Sequence, residues 1–588
     1  MKKINMIFGA LAVAAGLASC NDALNVKNPN NQTTYDFGNT ESDLQEAVIA
    51  CYNRIRLEGT FARVGYTMDA VRGDEVWNAS QVWYLPYDNL NSLNTDEIGN
   101  QWIWRDCYHV VNRCNYVLSK VDVALKPGSD SYNEIKGQAL FLRALAYYEL
   151  ATYYQRVPLF IDYAQYSSLE TMYAANVDQD TVFDQIDADL LEAMSLLPSR
   201  DKGGEWAKGR ATCGSAAGYL ARSYMFRHKF EEAYTVLKDI IAGKYGNYDL
   251  MPDYGDNFKE GAEFENNKES LFEVQFMDYG TGGPDDEWTP VNISSNASQG
   301  HAVESNYGPA DFGSWADLAA SPWLYNLFKA ETCTDGRLDP RLYWTLCTYE
   351  PEYDSYTGAK TAAYPGGDPR CNKVYTEEIT ASPVSNKANG GIAIAKFTNA
   401  RNNLYRDIVC GLKCGVNLRL MRFSDVLLRA AECENEINGP TDVAIEYINR
   451  VRRRVALPDL EKKDFPSADA LFEQIANVER PKEFGCENGR GIDLIRWGFF
   501  YDEARLQQIS QHSAYRRDGL PSTGEVSLEE ADDYSYKYYN PGHEYFPIAQ
   551  STLNANQNLS GNSANENHDN GEEFLAKWSV RPVVQLNR

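Results

Sequence analysis

Apolar residues return every three or four positions through much of this chain, a period that predicts helices. Residues 41–57 show it. So do residues 101–125, where Trp104, Tyr108, Val111, Asn115 and Leu118 share one face. Across 135–160 the stripe is Ile135, Ala139, Leu142, Ala146 and Leu150, with Pro158 as the expected stop. Residues 181–197 give another amphipathic helix. Two stretches, 209–246 and 424–460, each hold a pair of helical patterns. In the first, Leu220, Ala221 and Tyr224 lead to Phe230, Ala233 and Leu237 beyond His228 and Lys229. That large-small-large interlock matches a tetratricopeptide repeat, where a small residue lets paired helices nest. In the second, Leu428 and Ala431 belong to one helix and Ala444, Ile448 and Val451 to the next. Ser424 or Asp425 is expected to cap it, and Gly439-Pro440 divides the pair. The expected fold is mainly α: a tetratricopeptide-like helical repeat scaffold with long irregular loops and minor β.

The period fails in three places. Residues 66–100 set Trp and Tyr among turn residues. Residues 278–321 and 350–400 are rich in Gly, Pro, Asn and Thr. Structureless loops longer than about 15 residues are uncommon unless functional or disordered, and Trp288, Tyr307, Phe312 and Trp315 argue against plain disorder.

The first residues follow another logic. Lys2 and Lys3 precede an apolar run, Met6 to Ala18, too short for a bilayer that takes about 20 residues. It closes on Leu17-Ala18-Ser19-Cys20. A positive start, a short apolar core and a small-residue exit read as a secretory signal over 1–19. The small-small-Cys ending resembles the bacterial lipobox, so Cys20 is the expected lipidation site. Residues 20–40 are then a polar tether, and 41–588 are expected to form one domain. No later segment is apolar enough to span a membrane.

Composition narrows the function. The chain has 588 residues, 56 Lys+Arg and 83 Asp+Glu, for a net charge of −27. Such a surface repels phosphate backbones, which argues against nucleic acid. Of twelve cysteines, lipid on Cys20 leaves an odd number. Cys107 and Cys114 are about 10 Å apart along a helix, too far for a disulfide. Cys410 and Cys414 could share a helix face, but no neighbouring His supports a metal. No cofactor or metal is expected. No GxSxG or HExxH marks a hydrolase.

Several blocks then resemble one family. "ALFLRALAYYELATYYQRVPL", "GRATCGSAAGYLARSYMF", "TDGRLDPRL", "RLMRFSDVLLRAAECENEING", "INRVRRRVALPDL", "VERPKEFGCENGRGIDLIRWG" and "YFPIAQSTLNANQNLSGN" resemble, in order, motifs of the SusD/RagB family of outer-membrane nutrient-binding lipoproteins. Ala549, Thr552 and Gln557 depart from its C-terminal pattern. The resemblance implies a non-enzymatic, surface-exposed lipoprotein of the outer membrane. It would capture oligosaccharides and pass them to a SusC-like TonB-dependent transporter. A surface glycoside hydrolase, or a RagB-like peptide-uptake protein, is the alternative. The signature residues Glu479, Arg480, Asp493, Arg496 and Trp497 read as structural: a charged pair beside a buried Trp pins helix to loop.

The ligand surface has to be sought in the loops. A sugar offers a C–H face that an aromatic ring complements, and hydroxyls that need amides or carboxylates at the ring's edge. Residues 66–100 offer Asp74, Trp77, Asn78, Gln81, Trp83 and Tyr84. Residues 278–321 offer Trp288, Asn292, Asn296, Tyr307 and Trp315. A neutral sugar releases no counterions, so its binding should depend little on salt.

Overall fold

The computed structural model describes residues 37–78, 81, 83–88, 90, 98–277, 300–308, 314–348, 392–398, 414–512, 539, 541–565 and 578–586. Cys20, Trp288, Asn292, Asn296, Cys410 and most of 350–400 lie outside them.

Helices dominate. Those that carry the architecture are α1 (Glu41–Arg54), α2 (Val64–Arg72), α3 (Ile98–Ala124), α4 (Asp130–Tyr154), α5 (Gln179–Leu196), α6 (Cys213–Phe226), α7 (Phe230–Ile241), α8 (Phe423–Asn438), α9 (Asp442–Arg454), α10 (Arg490–Arg496) and α11 (Glu503–His512). Each helix from α3 to α9 packs on the next, so successive hairpins stack side by side, and α1 covers α3. The nesting follows the small residues: Ala221, Ala233, Ala431 and Ala444 are all fully buried. Caps fix the starts. Thr40 accepts from Asp43 N and Thr441 from Ala444 N, at 3.2 and 3.1 Å.

Among the described residues, three two-stranded ladders accompany the helices. β1 (Val76–Asn78) pairs antiparallel with β5 (Leu318–Ala320), setting Trp77 opposite Ala319. β2 (Val157–Pro158) pairs with β3 (Asn176–Val177), and β4 (Ser270–Val274) with β6 (Leu418–Arg422).

Some local expectations change. Residues 66–100 are not one loop: α2 fills their start, and every residue of α2 is buried. A helix enclosed on all sides has no polar face, so no stripe announces it. α4 stops before Pro158, at Gln155, whose φ is 65°. Ser424 and Asp425 do not cap α8. Arg422 stands at the N-cap, and Asp425 lies within the first turn, where it accepts from Arg222, Arg429 and Arg480 at 2.8–2.9 Å. Cys414 is extended, bridged to His301 through the backbone. Among the described residues, no group of His, Cys, Asp and Glu could hold a metal ion.

The signature residues build an ionic lattice inside the core. Arg480 reaches Asp425 and Asp493; Arg496 reaches Asp493 and Glu432; Trp497 donates to Glu432 at 2.8 Å. Burial would raise the Asp425 carboxyl. Arg429, Arg222 and Arg480 outweigh it and hold it well below the usual range. Breaking one such pair leaves a buried charge, at a cost of about 3–5 kcal/mol.

Candidate functional site

A single π-helical turn, Glu58–Ala62, separates α1 from α2. Its backbone breaks at Thr60 (φ −98°, ψ −105°), and Arg63 follows at φ −161°, ψ −78°. Two glycines permit this. A Cβ on Gly59 would meet the Trp102 carbonyl at 2.1 Å, and one on Gly65 the Thr60 carbonyl at 1.8 Å. The turn therefore lies against α3 backbone to backbone. Asp106 on α3 fastens it by accepting from Gly59 N at 2.9 Å.

The break aims Arg63 into a group of tryptophans. Its guanidinium carbon lies 6.0 Å from the Trp83 ring centre, 5.7 Å from Trp102 and 5.5 Å from Trp315. Glu58 pairs with it at 2.5 Å. Burial pushes the Glu58 carboxyl up, and Arg63 opposes that shift. Arg63 is itself buried, so its cation serves to hold the rings rather than to meet solvent. The three indoles remain partly open. Trp83 rests on Tyr84, ring centres 3.9 Å apart.

Polar groups line one edge. Asn78 and Gln81 close a turn on each other: Asn78 Nδ2 donates to Gln81 O at 2.6 Å, and Gln81 N to Asn78 Oδ1 at 2.9 Å. Gln81 Nε2 donates to Asp317 Oδ1 at 3.0 Å. The β1–β5 pairing brings these residues together across more than 200 positions of sequence.

The other candidates stand behind this surface. Asp74 is enclosed, bound by Arg490 at 2.6 and 2.8 Å and lying 2.7 Å from His512 Nδ1. Burial works against its charge, but Arg490 and His512 keep its carboxyl below the usual range. Trp77 is 6% exposed and packs as a strand residue. Tyr84 is fully buried, its hydroxyl shared with Thr67 and Asn306. Tyr307 is fully buried as well. Tyr84 lies against Trp83, whereas Asp74, Trp77 and Tyr307 are enclosed; Trp83 and Trp315 stay partly open beside Arg63.

Two residues of the cluster escaped the sequence reading, Trp102 and Arg63. Trp102 did leave a signal. It sits two positions before Trp104, about 200° round the helix and off the apolar stripe. Arg63 left none, because only the folded backbone break brings it inward.

Comparison with known proteins places this geometry in context. Residues 268–565 match the sequence model described as "SusD family", and 22–225 match one described as "Starch-binding associating with outer membrane". A SusD-like protein P25 of Formosa agariphila is 23% identical, over 79% of this chain and 84% of its own. A SusD-like protein of Bacteroides ovatus is 23% identical over 91% of each. Among solved structures, a SusD superfamily protein from Bacteroides vulgatus aligns with TM-score 0.69 and 24% identity, over 90% of this chain and all of the other. Surface glycan-binding protein A of Bacteroides thetaiotaomicron, solved with laminarihexaose, aligns at TM-score 0.62 and 22% identity, over 89% of this chain and all of the other. The chain belongs to the SusD family.

Proposed function

We propose that this protein is a glycan-binding lipoprotein of the outer membrane. It is anchored through Cys20 and captures oligosaccharides for a SusC-like TonB-dependent transporter. The observation that carries the reading is the platform: three partly open indoles held around one buried guanidinium, with Asn78 and Gln81 at their edge. Flat π faces suit the C–H faces of sugar rings, and the amides suit their hydroxyls. Rings fixed beforehand lose little entropy on binding. The laminarihexaose complex of a structural neighbour supports the ligand class. The family description supports the membrane. No catalytic role is assigned: the nearby carboxylates Glu58, Asp106 and Asp317 are all engaged within the fold.

Titration calorimetry of the purified chain against a glycan panel tests this. Trp83→Ala, Trp102→Ala and Trp315→Ala should each weaken binding several-fold, at about 1 kcal/mol per aromatic contact, while melting as a folded protein. Retained affinity in all three variants would place the ligand elsewhere. Release of sugar fragments over hours would return the hydrolase reading. Cys20→Ala should leave the membrane fraction; if it stays there, carrying lipid label, the anchor is wrong. Purification from native outer membrane should recover a TonB-dependent barrel.

A further inference from the structure

The outer face of α3 does not end at the platform. From Trp102, at steps of three or four, come Arg105, His109, Arg113, Tyr116 and Lys120. They make one row about 27 Å long at helical rise. Arg105 begins it, with its guanidinium 6.0 Å from the Trp102 ring and its side chain one-third exposed. His109 is 45% exposed, and Arg113 is exposed too. Arg54, at the end of α1, adds its charge from the side. Burial and the neighbouring Arg113 both push the Arg54 pKa down, and Asp106 opposes them.

One buried carboxylate offsets part of the row. Asp106 is the carboxylate within it. It is fully buried, accepting from Gly59 N and pairing with Arg105 at 2.7 Å. Among the described residues, Arg54, Arg113 and Lys120 make no ion pair. Cations left unpaired along one line are costly to assemble, and a chain with a net charge of −27 has carboxylates to spare. At physiological salt the screening length is about 8 Å, so a ligand on this row feels the row and not the acidic whole.

We infer that the row is an anion-binding track continuous with the tryptophan platform, and that the oligosaccharide bound there carries carboxylate or sulfate groups. The inference rests on the platform reading and reverses the expectation of salt-independent binding. Ring faces lie on Trp83, Trp102 and Trp315. Acidic substituents on the units beyond meet Arg105, Arg113 and Arg54, whose guanidinium groups match planar oxyanions.

The test is calorimetry of the full-length chain with paired probes: hexagalacturonate beside its methyl ester, and a chondroitin sulfate hexasaccharide beside its desulfated form. The acidic member of at least one pair should bind roughly ten-fold tighter at 0.1 M salt, from two or three charged contacts. Most of that advantage should vanish at 0.4 M. Arg54→Gln with Arg113→Gln should abolish it and leave the neutral member's affinity unchanged, while Trp102→Ala weakens both. Equal affinities within every pair, or an advantage that survives the double variant, overturns the track and spares the platform. If no member of any pair binds, the track is overturned, while the neutral glycan panel decides the platform separately. Vesicles of phosphatidylethanolamine and phosphatidylglycerol at 3:1 form the last arm. If the double variant loses vesicle binding while glycan affinities stay unchanged, the row faces a membrane and the inference is wrong.

Discussion

Tryptophans of this chain divide by what surrounds them. Trp77 is 6% exposed, between a ladder and the core. Trp83, Trp102 and Trp315 keep open edges around Arg63. Composition treats all four alike, and the loop-like sequence around Trp77 and Trp83 is equally rich in turn residues. The difference is register: Trp77 pairs opposite Ala319, a partner that sequence does not name. Truncation should expose it. Trp77→Ala removes a buried ring and should cost about 3–5 kcal/mol, seen as a lowered urea midpoint. Trp102→Ala should shift that midpoint far less and weaken glycan binding several-fold instead. The reverse pattern would exchange their roles. What could be read at this scale was residue type; what could not was which side of a three-residue strand faces out.

Whole helices were more legible than single side chains. Stripes such as Ile135, Ala139, Leu142, Ala146 and Leu150 are repeated often enough to survive a misread position, and all five are buried in α4. The small residues that let α6 nest on α7 were equally plain. The π turn was not, because its logic lies in contact with a distant backbone. Gly59 and Gly65 look like ordinary loop glycines until the Trp102 and Thr60 carbonyls are set beside them. Gly65→Ala should therefore pry the turn apart and swing Arg63 from the rings. We expect a destabilised protein whose glycan affinity falls even where it remains folded. Circular dichroism melts beside calorimetry check this. A variant with unchanged melting point and affinity would show that the turn yields without consequence.

Across the whole molecule, buried carboxylates set the response to acid and base. Burial pushes Glu75, Glu149 and Glu265 each up to about 8, against 4.5 for an ordinary glutamate. The folded state then holds protons that the unfolded chain releases, so their contribution is complete below pH 4.5 and lost as pH rises towards 8. Asp74, Asp425 and Asp493 act oppositely, held low by arginines, and their contribution is lost only as pH falls below the usual aspartate range. The melting temperature should therefore peak near pH 5 and decline towards pH 8. Glu149→Gln should flatten the decline. A profile that is level from pH 5 to 8, or unaltered by the variant, would contradict this assignment.

Contacts between distant segments also order events in time. Asp74 is joined to Arg490 across 416 residues, Arg72 to Glu544 across 472, and Asn100 to Pro547 across 447. Segments so far apart must find each other before these contacts exist, and such distant closures make folding slow. Trp83 and Trp102 precede Trp315 by more than 200 residues, so the three rings gather around Arg63 only once the chain has been made that far. The cluster thus stays unassembled while the first half of the chain is made, and an incomplete chain carries its aromatic residues as exposed, adhesive surface instead.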